Sequence, residues 1–217
     1  MKISFVFLYK TTYNAFMRVI FLDIDGVLNS RQSVEYFKQM NFHEYEKMLC
    51  PMAMANLRYL IKTYDLKVVV SSTWRKSRTV EQLSKILSLP VLDKTGVLPD
   101  QERGEEIKQW LEKNPQVTDF VIFDDDSDMG EYLNTTHFIR CSTKIGLSWY
   151  EVDKAKIHFD KFTLKFSDLK AGKKYKLFSK PYSCNYLFDG KTIKVEESNQ
   201  EAFFYPESEL FAEVSEE

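Results

Sequence analysis

Two apolar runs that break directly into acids constrain this chain more than any other feature. Residues 18–22 read Arg-Val-Ile-Phe-Leu and open onto Asp23-Ile24-Asp25-Gly26, and residues 120–123 open onto Asp124-Asp125-Asp126-Ser127-Asp128. Near-continuous apolar runs suit strands buried on both faces, as in a parallel sheet. Between the two runs the period changes. Residues 51–64 place Leu57, Leu60, Ile61 and Tyr64 on one helical face, with Pro51 suited to the first turn. Residues 66–70 are apolar and β-branched, as a central strand should be. A second helix turns Val80, Leu83, Ile86 and Leu87 inward. A third, from about Gly104 to Lys113, turns in Ile107, Trp110 and Leu111 until Asn114-Pro115 stops it. A shorter strand follows at residues 138–140. The alternation predicts an α/β fold, a Rossmann-like parallel sheet with helices on both faces, and such sheets bind ligands beyond the carboxyl ends of their strands.

The texture changes after about Asp153. Phe162, Leu164 and Phe166 alternate with Lys161, Thr163 and Lys165, and Tyr186-Leu187-Phe188 leads through Asp189-Gly190 to residues 192–195, which reads as a hairpin with a primed turn. The expected organisation is therefore a peripheral extension at 1–16, an α/β domain at 17–153, and a small β-rich module at 154–217, open or closed into a barrel, with an acidic tail. The formal net charge of -2 gives the chain no global attraction to nucleic acid, so any such contact must be local. The three cysteines, Cys50, Cys141 and Cys184, are odd in number and far apart, which fits free thiols in a reducing cytoplasm. No stretch is long enough to span a bilayer, so no membrane partner is expected. The short apolar run near the start lacks the flanks of a signal peptide.

Alternation aims Asp23 and Asp25 the same way, at the carboxyl end of the sheet, and Gly26 permits a sharp turn there. A second acidic cluster at an equivalent strand end, Asp124 and Asp125, would repel the first unless something positive lies between them. A hard cation with oxygen ligands, most simply Mg²⁺, resolves this.

Asp23-Ile24-Asp25-Gly26-Val27-Leu28 resembles the first motif of the haloacid dehalogenase (HAD) superfamily. Val68-Val69-Val70-Ser71 resembles its second motif, and Asp124-Asp125 after Val121-Ile122-Phe123 its fourth. Ser71-Ser72-Thr73-Trp74-Arg75 and Arg103-Gly104-Glu105-Glu106-Ile107 resemble the HAD phosphatase domains of nucleic-acid repair proteins. The resemblance covers about residues 17–150. It implies a Mg²⁺-dependent phosphomonoesterase in which Asp23 forms an aspartyl-phosphate and Asp25 is the general acid and base, worth about 10²–10⁴-fold in rate. It implies that Ser71 binds the phosphoryl oxygens, and that Asp23, the Asp25 carbonyl and Asp124 or Asp125 hold the metal. The third-motif cation is usually lysine; Arg103 is the choice here, with Lys94 and Lys108 as alternatives.

Other residues have two readings. Arg75 is a candidate for a substrate phosphate contact or a salt bridge; Trp74, beside Ser72, stacks on a base or packs between helices. Asp126 and Asp128 are metal-water orienters or solvated acids. His43, His137 and His158 show no ligand spacing. Lys161, Lys165, Lys170, Lys173, Lys174, Lys176 and Lys180, interleaved with Phe162, Phe166, Tyr175 and Phe178, form either a single-strand binding face or a solvated face over an aromatic core. The segment 30–50 is too short for a cap domain with its own core, so the site should lie open, walled by aromatics of residues 36–45. An open site lets a large substrate present a terminal phosphate and favours an end-phosphorylated oligonucleotide over a free mononucleotide; the expected substrate class is a nucleotide or the phosphorylated end of a nucleic acid, and the alternatives are a small-metabolite phosphatase and a nucleic-acid-binding protein with a vestigial HAD domain.

Overall fold

The structure, a computed structural model, describes residues 17–161, 164–177, 185–198, 200–202 and 211–214. The expected extension at 1–16, Phe162, Thr163, Phe178, Lys180, Cys184 and the last three residues of the acidic tail lie outside the described residues.

Strand β1 (Met17–Leu22) is followed by helices α1 (Arg31–Gln39) and α2 (Pro51–Tyr64), then β2 (Leu66–Val70), α3 (Val80–Leu87), β3 (Val91–Lys94), α4 (Arg103–Lys113), β4 (Val117–Asp124), β5 (Phe138–Arg140) and α5 (Trp149–Phe159). The five strands form one parallel sheet in the order β3-β2-β1-β4-β5. Alternating residues feed two cores. Ile20, Leu22, Val68, Val70, Val121 and Phe123 pack with residues of α2, α3 and α5, whereas Val19, Phe21, Val69 and Ile122 pack with Ile107 and Trp110 of α4. Both faces are thus covered by helices, and the fold is HAD-like. The chain moves outward from β1 through β2 to β3, then returns to β4 on the other side of β1. The strand order therefore reverses between β1 and β4, which is where open α/β sheets place ligands.

Helix α5 crosses the domain boundary expected between residues 153 and 154. Its Val152, Ala155 and Phe159 belong to the parallel-sheet core, so the helix closes the first unit rather than opening the second. Beyond it lies a separate four-stranded antiparallel sheet in the order β8-β7-β6-β9, from β6 (Lys174–Leu177), β7 (Tyr186–Phe188), β8 (Ile193–Val195) and β9 (Phe211–Glu213). The expected hairpin is β7–β8: Gly190 has φ +99°, and the Asp189 carboxylate accepts from the Lys191 and Thr192 amides. Tyr175 is buried in this module's core with Phe166 packed against it, so neither ring is presented for base stacking. Lys173 and Lys174 pair with Glu213 and Glu196. Among the described residues, no helix is long and apolar enough to cross a membrane.

Candidate active site

Register brings the two acidic clusters together. Leu22 pairs with Phe123, and the Asp23 amide donates to the Phe123 carbonyl at 2.9 Å, so Asp23 and Asp124 end adjacent strands. After Asp23 the chain winds into a tight turn in which the amides of Val27, Leu28 and Asn29 all reach the Ile24 carbonyl. Gly26 is required twice over. Its φ is +77°, and a Cβ there would meet Asp125 Oδ2 at 2.2 Å.

Arg103 sits between the acids. Its Nη1 donates to Asp23 Oδ1 at 2.8 Å and to Asp124 Oδ2 at 2.5 Å. Gly104 explains how a helix start reaches this position. Its amide donates to the Asp128 carbonyl at 3.0 Å, and a Cβ would collide with the Met129 carbonyl at 2.2 Å. The other cations considered for this role are elsewhere. Lys94 Nζ donates to the carbonyls of Arg75 and Arg78, and Lys108 pairs with exposed Glu131.

Electrostatics mark the site as short of positive charge. Burial, then Asp124, push the Asp23 carboxyl up to about 7, against the pull of Arg103 and a hydrogen bond from Ser72. Burial likewise pushes Asp124 up to about 6 despite Arg103. Burial opposes the charge on Arg103, but Asp124 and Asp23 together raise its pKa above the ordinary value. Oxygens of Asp23, Asp124 and Asp125 lie within 4.8 Å of one another. All are hard donors, and two are carboxylates that burial leaves costly to ionise. This donor set fits Mg²⁺.

Asp25 is held by three donors. Trp74 Nε1 donates to Oδ2 at 2.8 Å, while Asn29 Nδ2 and Tyr45 Oη donate to Oδ1 at 2.8 and 3.0 Å. Trp74 is thus buried with its indole N–H committed to Asp25. Tyr45 comes from a 3-10 turn (Tyr45–Lys47) that Glu46 anchors to Arg78, whose guanidinium lies 4.5 Å over the Trp74 ring. Burial, then the bond to Asp25, push the Tyr45 phenol up to about 12, so it stays a donor.

Some of the expected site residues lie back from the cavity. Ser71 and Ser72 are both fully buried and neither lines the cavity; the Ser71 hydroxyl has no partner among the described residues, while the Ser72 hydroxyl accepts from the Trp74 amide and lowers the Asp23 pKa. The amides of Ser71 and Ser72 both bond to the Leu22 carbonyl before a 3-10 turn (Thr73–Lys76), so strand alternation no longer holds there. Arg75 does not reach the site. It is buried in a salt bridge with Glu106 and donates to the carbonyls of Ser71 and Gly96.

The cavity has a volume of about 510 Å³ and opens over the acids. One wall is the α1 face Arg31, Val34, Glu35 and Lys38, and Tyr45 closes another side. Tyr36 and Phe37 line a different, apolar hollow, so Tyr45 alone of the expected aromatics faces the acids. Sequence reasoning missed Arg31 and Lys38, although their i, i+7 spacing with Val34 and Glu35 between is a single helix face. Asp125 lines the cavity, Asp126 is exposed, and its amide donates to Asp124 Oδ1. Asp128 keeps one buried oxygen without a partner among the described residues.

A family model described as "HAD domain in Swiss Army Knife RNA repair proteins" matches residues 19–152, more than half of the chain. No curated protein and no solved structure matches the chain.

Proposed function

The chain belongs to the family of HAD domains in Swiss Army Knife RNA repair proteins, which supports phosphatase-like chemistry, and from that premise we propose a Mg²⁺-dependent phosphomonoesterase acting on phosphorylated RNA ends. One observation carries the reading: Arg103 bridges Asp23 and Asp124 while Asp25, two residues on, is held by Trp74, Asn29 and Tyr45.

Arg103 orients the Asp23 carboxylate for in-line attack on phosphorus. An Asp23 oxygen–phosphorus bond forms as the bond to the leaving oxygen breaks, and Asp25 gives that oxygen its proton. In the second half, water attacks phosphorus, Asp25 takes its proton, and the bond to Asp23 breaks to release phosphate. Arg103, having reached both acids, also lies where a phosphoryl oxygen can be gripped. Mg²⁺ held by Asp23, Asp124 and Asp125 supplies charge neutralisation when bound.

Substrate size follows from the walls. The 30–50 segment supplies only α1 and one 3-10 turn, with no cap domain, so a long substrate can present its terminal phosphate. Arg31 and Lys38 flank the opening and suit backbone phosphates next to the end.

The test is phosphate release with and without Mg²⁺, comparing an aryl phosphate, mononucleotides, sugar phosphates, and oligoribonucleotides phosphorylated at either end. Mg²⁺-dependent turnover with a lower KM for an oligonucleotide end is expected. A clear preference for mononucleotides or sugar phosphates would favour a metabolite enzyme, and no release from any of them would leave a vestigial binding domain.

A further inference from the structure

Three metal-ligating side chains converge at the end of the sheet opposite the acids. Asp119 lies five residues before Asp124 on β4, about 16 Å away along a strand rising ~3.3 Å per residue. His137 immediately precedes β5, and His158 stands in the last turn of α5. One ligand atom from each of the three lies within 4.8 Å of the others, and His158 Nε2 is 2.8 Å from Asp119 Oδ1. All three residues are partly buried, with the Asp119 side chain more exposed than that of His158.

The second ring nitrogens supply an independent observation. His137 Nδ1 is 2.8 Å from the Phe120 carbonyl, and His158 Nδ1 is 3.1 Å from Thr136 Oγ1. A carbonyl only accepts, so the His137 proton is on Nδ1 and its Nε2 offers a lone pair. The ring is stacked on Phe120, with centroids 4.1 Å apart and planes at 12°, which fixes its direction. An imidazole whose far nitrogen is bonded to an oxygen is the arrangement metal-binding histidines adopt. Arg18, the register neighbour of Asp119, turns its guanidinium over the Phe159 ring and makes no ion pair with Asp119 among the described residues.

We propose that Asp119, His137 and His158 form a second metal site, for a divalent transition ion such as Zn²⁺, which ties the last turn of α5 to the amino ends of β4 and β5. Two imidazoles and one carboxylate favour Zn²⁺ over Mg²⁺, with water completing the coordination. Taking up the ion requires His158 to move its Nε2 proton to Nδ1, facing Thr136, or to solvent. The site is independent of the phosphatase reading, because none of its residues lines that cavity.

The experiment is calorimetric titration of the reduced full chain with ZnCl₂ in excess Mg²⁺, repeated with CoCl₂ to read the ligand-field spectrum. One equivalent of Zn²⁺ should bind, and the melting temperature should rise with Zn²⁺ at constant Mg²⁺. His137→Ala and Asp119→Asn should each weaken that binding more than about 100-fold, beyond what loss of an orienting partner costs, whereas Thr136→Ala should weaken it about 10–100-fold. His137→Ala removes a stacked ring and one hydrogen bond but no ion pair, so it should fold with a lowered melting temperature that Zn²⁺ no longer raises, and its result is readable even where Asp119→Asn unfolds. Zn²⁺ binding that survives His137→Ala overturns the proposal, whether it disappears in Asp124→Asn, which assigns it to the acidic site, or persists there, which assigns it to thiols. Failure to bind Zn²⁺ at all would reduce the cluster to a His158–Asp119 salt bridge and also overturns it.

Discussion

Replacing the nucleophile should make the metal-free protein more stable. Asp23 is nearly fully buried, and its carboxyl is pushed from 3.8 up to about 7, chiefly by burial and then by Asp124. A group whose folded pKa is raised loses stability as pH climbs from the unfolded value to the folded one. Below about pH 4 Asp23 is neutral in both states and costs nothing; above about pH 7 it is ionised in both, and the folded state carries the full penalty. A rise from 3.8 to about 7 corresponds to roughly 4 kcal/mol, and the attraction of Arg103 is already inside that figure. Asp23→Asn removes the charge and keeps the shape. With metal chelated, the variant should melt roughly 10 °C above wild type at pH 8, and the gap should shrink to a small constant at pH 4. Adding Mg²⁺ should narrow or reverse the gap at pH 8, because only wild type keeps all three acid ligands and gains the binding free energy. Thermal melts from pH 4 to 8, with chelator and with Mg²⁺, supply the test. A variant less stable than wild type at pH 8 without metal, or a gap unchanged across pH, would refute the argument that Asp23 is held there at electrostatic cost.

Three further outcomes follow from the contacts. Trp74→Phe removes the 2.8 Å donor to Asp25, a bond to a charged group worth about 1.5–3 kcal/mol, so kcat should fall about 10–100-fold for an alkyl phosphate and much less for an aryl phosphate, whose leaving group needs no proton. Ser72→Ala should lower kcat for every substrate, while Ser71→Ala, at a buried hydroxyl with no partner among the described residues, should leave turnover near wild type; steady-state kinetics on both variants separates them. Arg75→Ala strands Glu106 in the interior and should cost about 3–5 kcal/mol in denaturant unfolding, and a stable variant with a raised KM would restore Arg75 to substrate binding.

Much of this was legible because the physics was local and repetitive. The strands at 18–22 and 66–70 and the helix at 51–64 follow from apolar period alone, and acids at two strand ends meet wherever those strands are neighbours. Arg103 was legible only through the likeness of residues 103–107 to repair-protein HAD domains; the close approach of Gly104 to the Met129 carbonyl, which carries the arginine to the acids, was not. Strand β3 was missed because it has four residues, two of them Asp93 and Lys94, and lies at the sheet edge. Helix α5 was missed although Ser148 and Glu151 form a capping box; its hydrophobic face is sparse, and the lysine-rich texture beyond it moved the boundary too early. Where the side chains of Ser71 and Arg75 go was not legible, because once the chain leaves β2 for a 3-10 turn neither a motif likeness nor period-two alternation says which side chain faces the acids. The hydrogen bonds to Asp25 join residues 4, 20 and 49 positions away, and nothing in the spacing of Asn29, Tyr45 and Trp74 announces that they meet.

The central claim is that Asp23 carries the phosphoryl group during turnover. Its most direct test is rapid acid quench of the protein turning over a phosphorylated oligoribonucleotide in Mg²⁺, followed by peptide mass mapping. The account predicts a phosphoryl adduct on the peptide containing Asp23, sensitive to hydroxylamine, and no turnover by Asp23→Asn. Turnover without that adduct, together with wild-type phosphate release by Asp23→Asn, would contradict it.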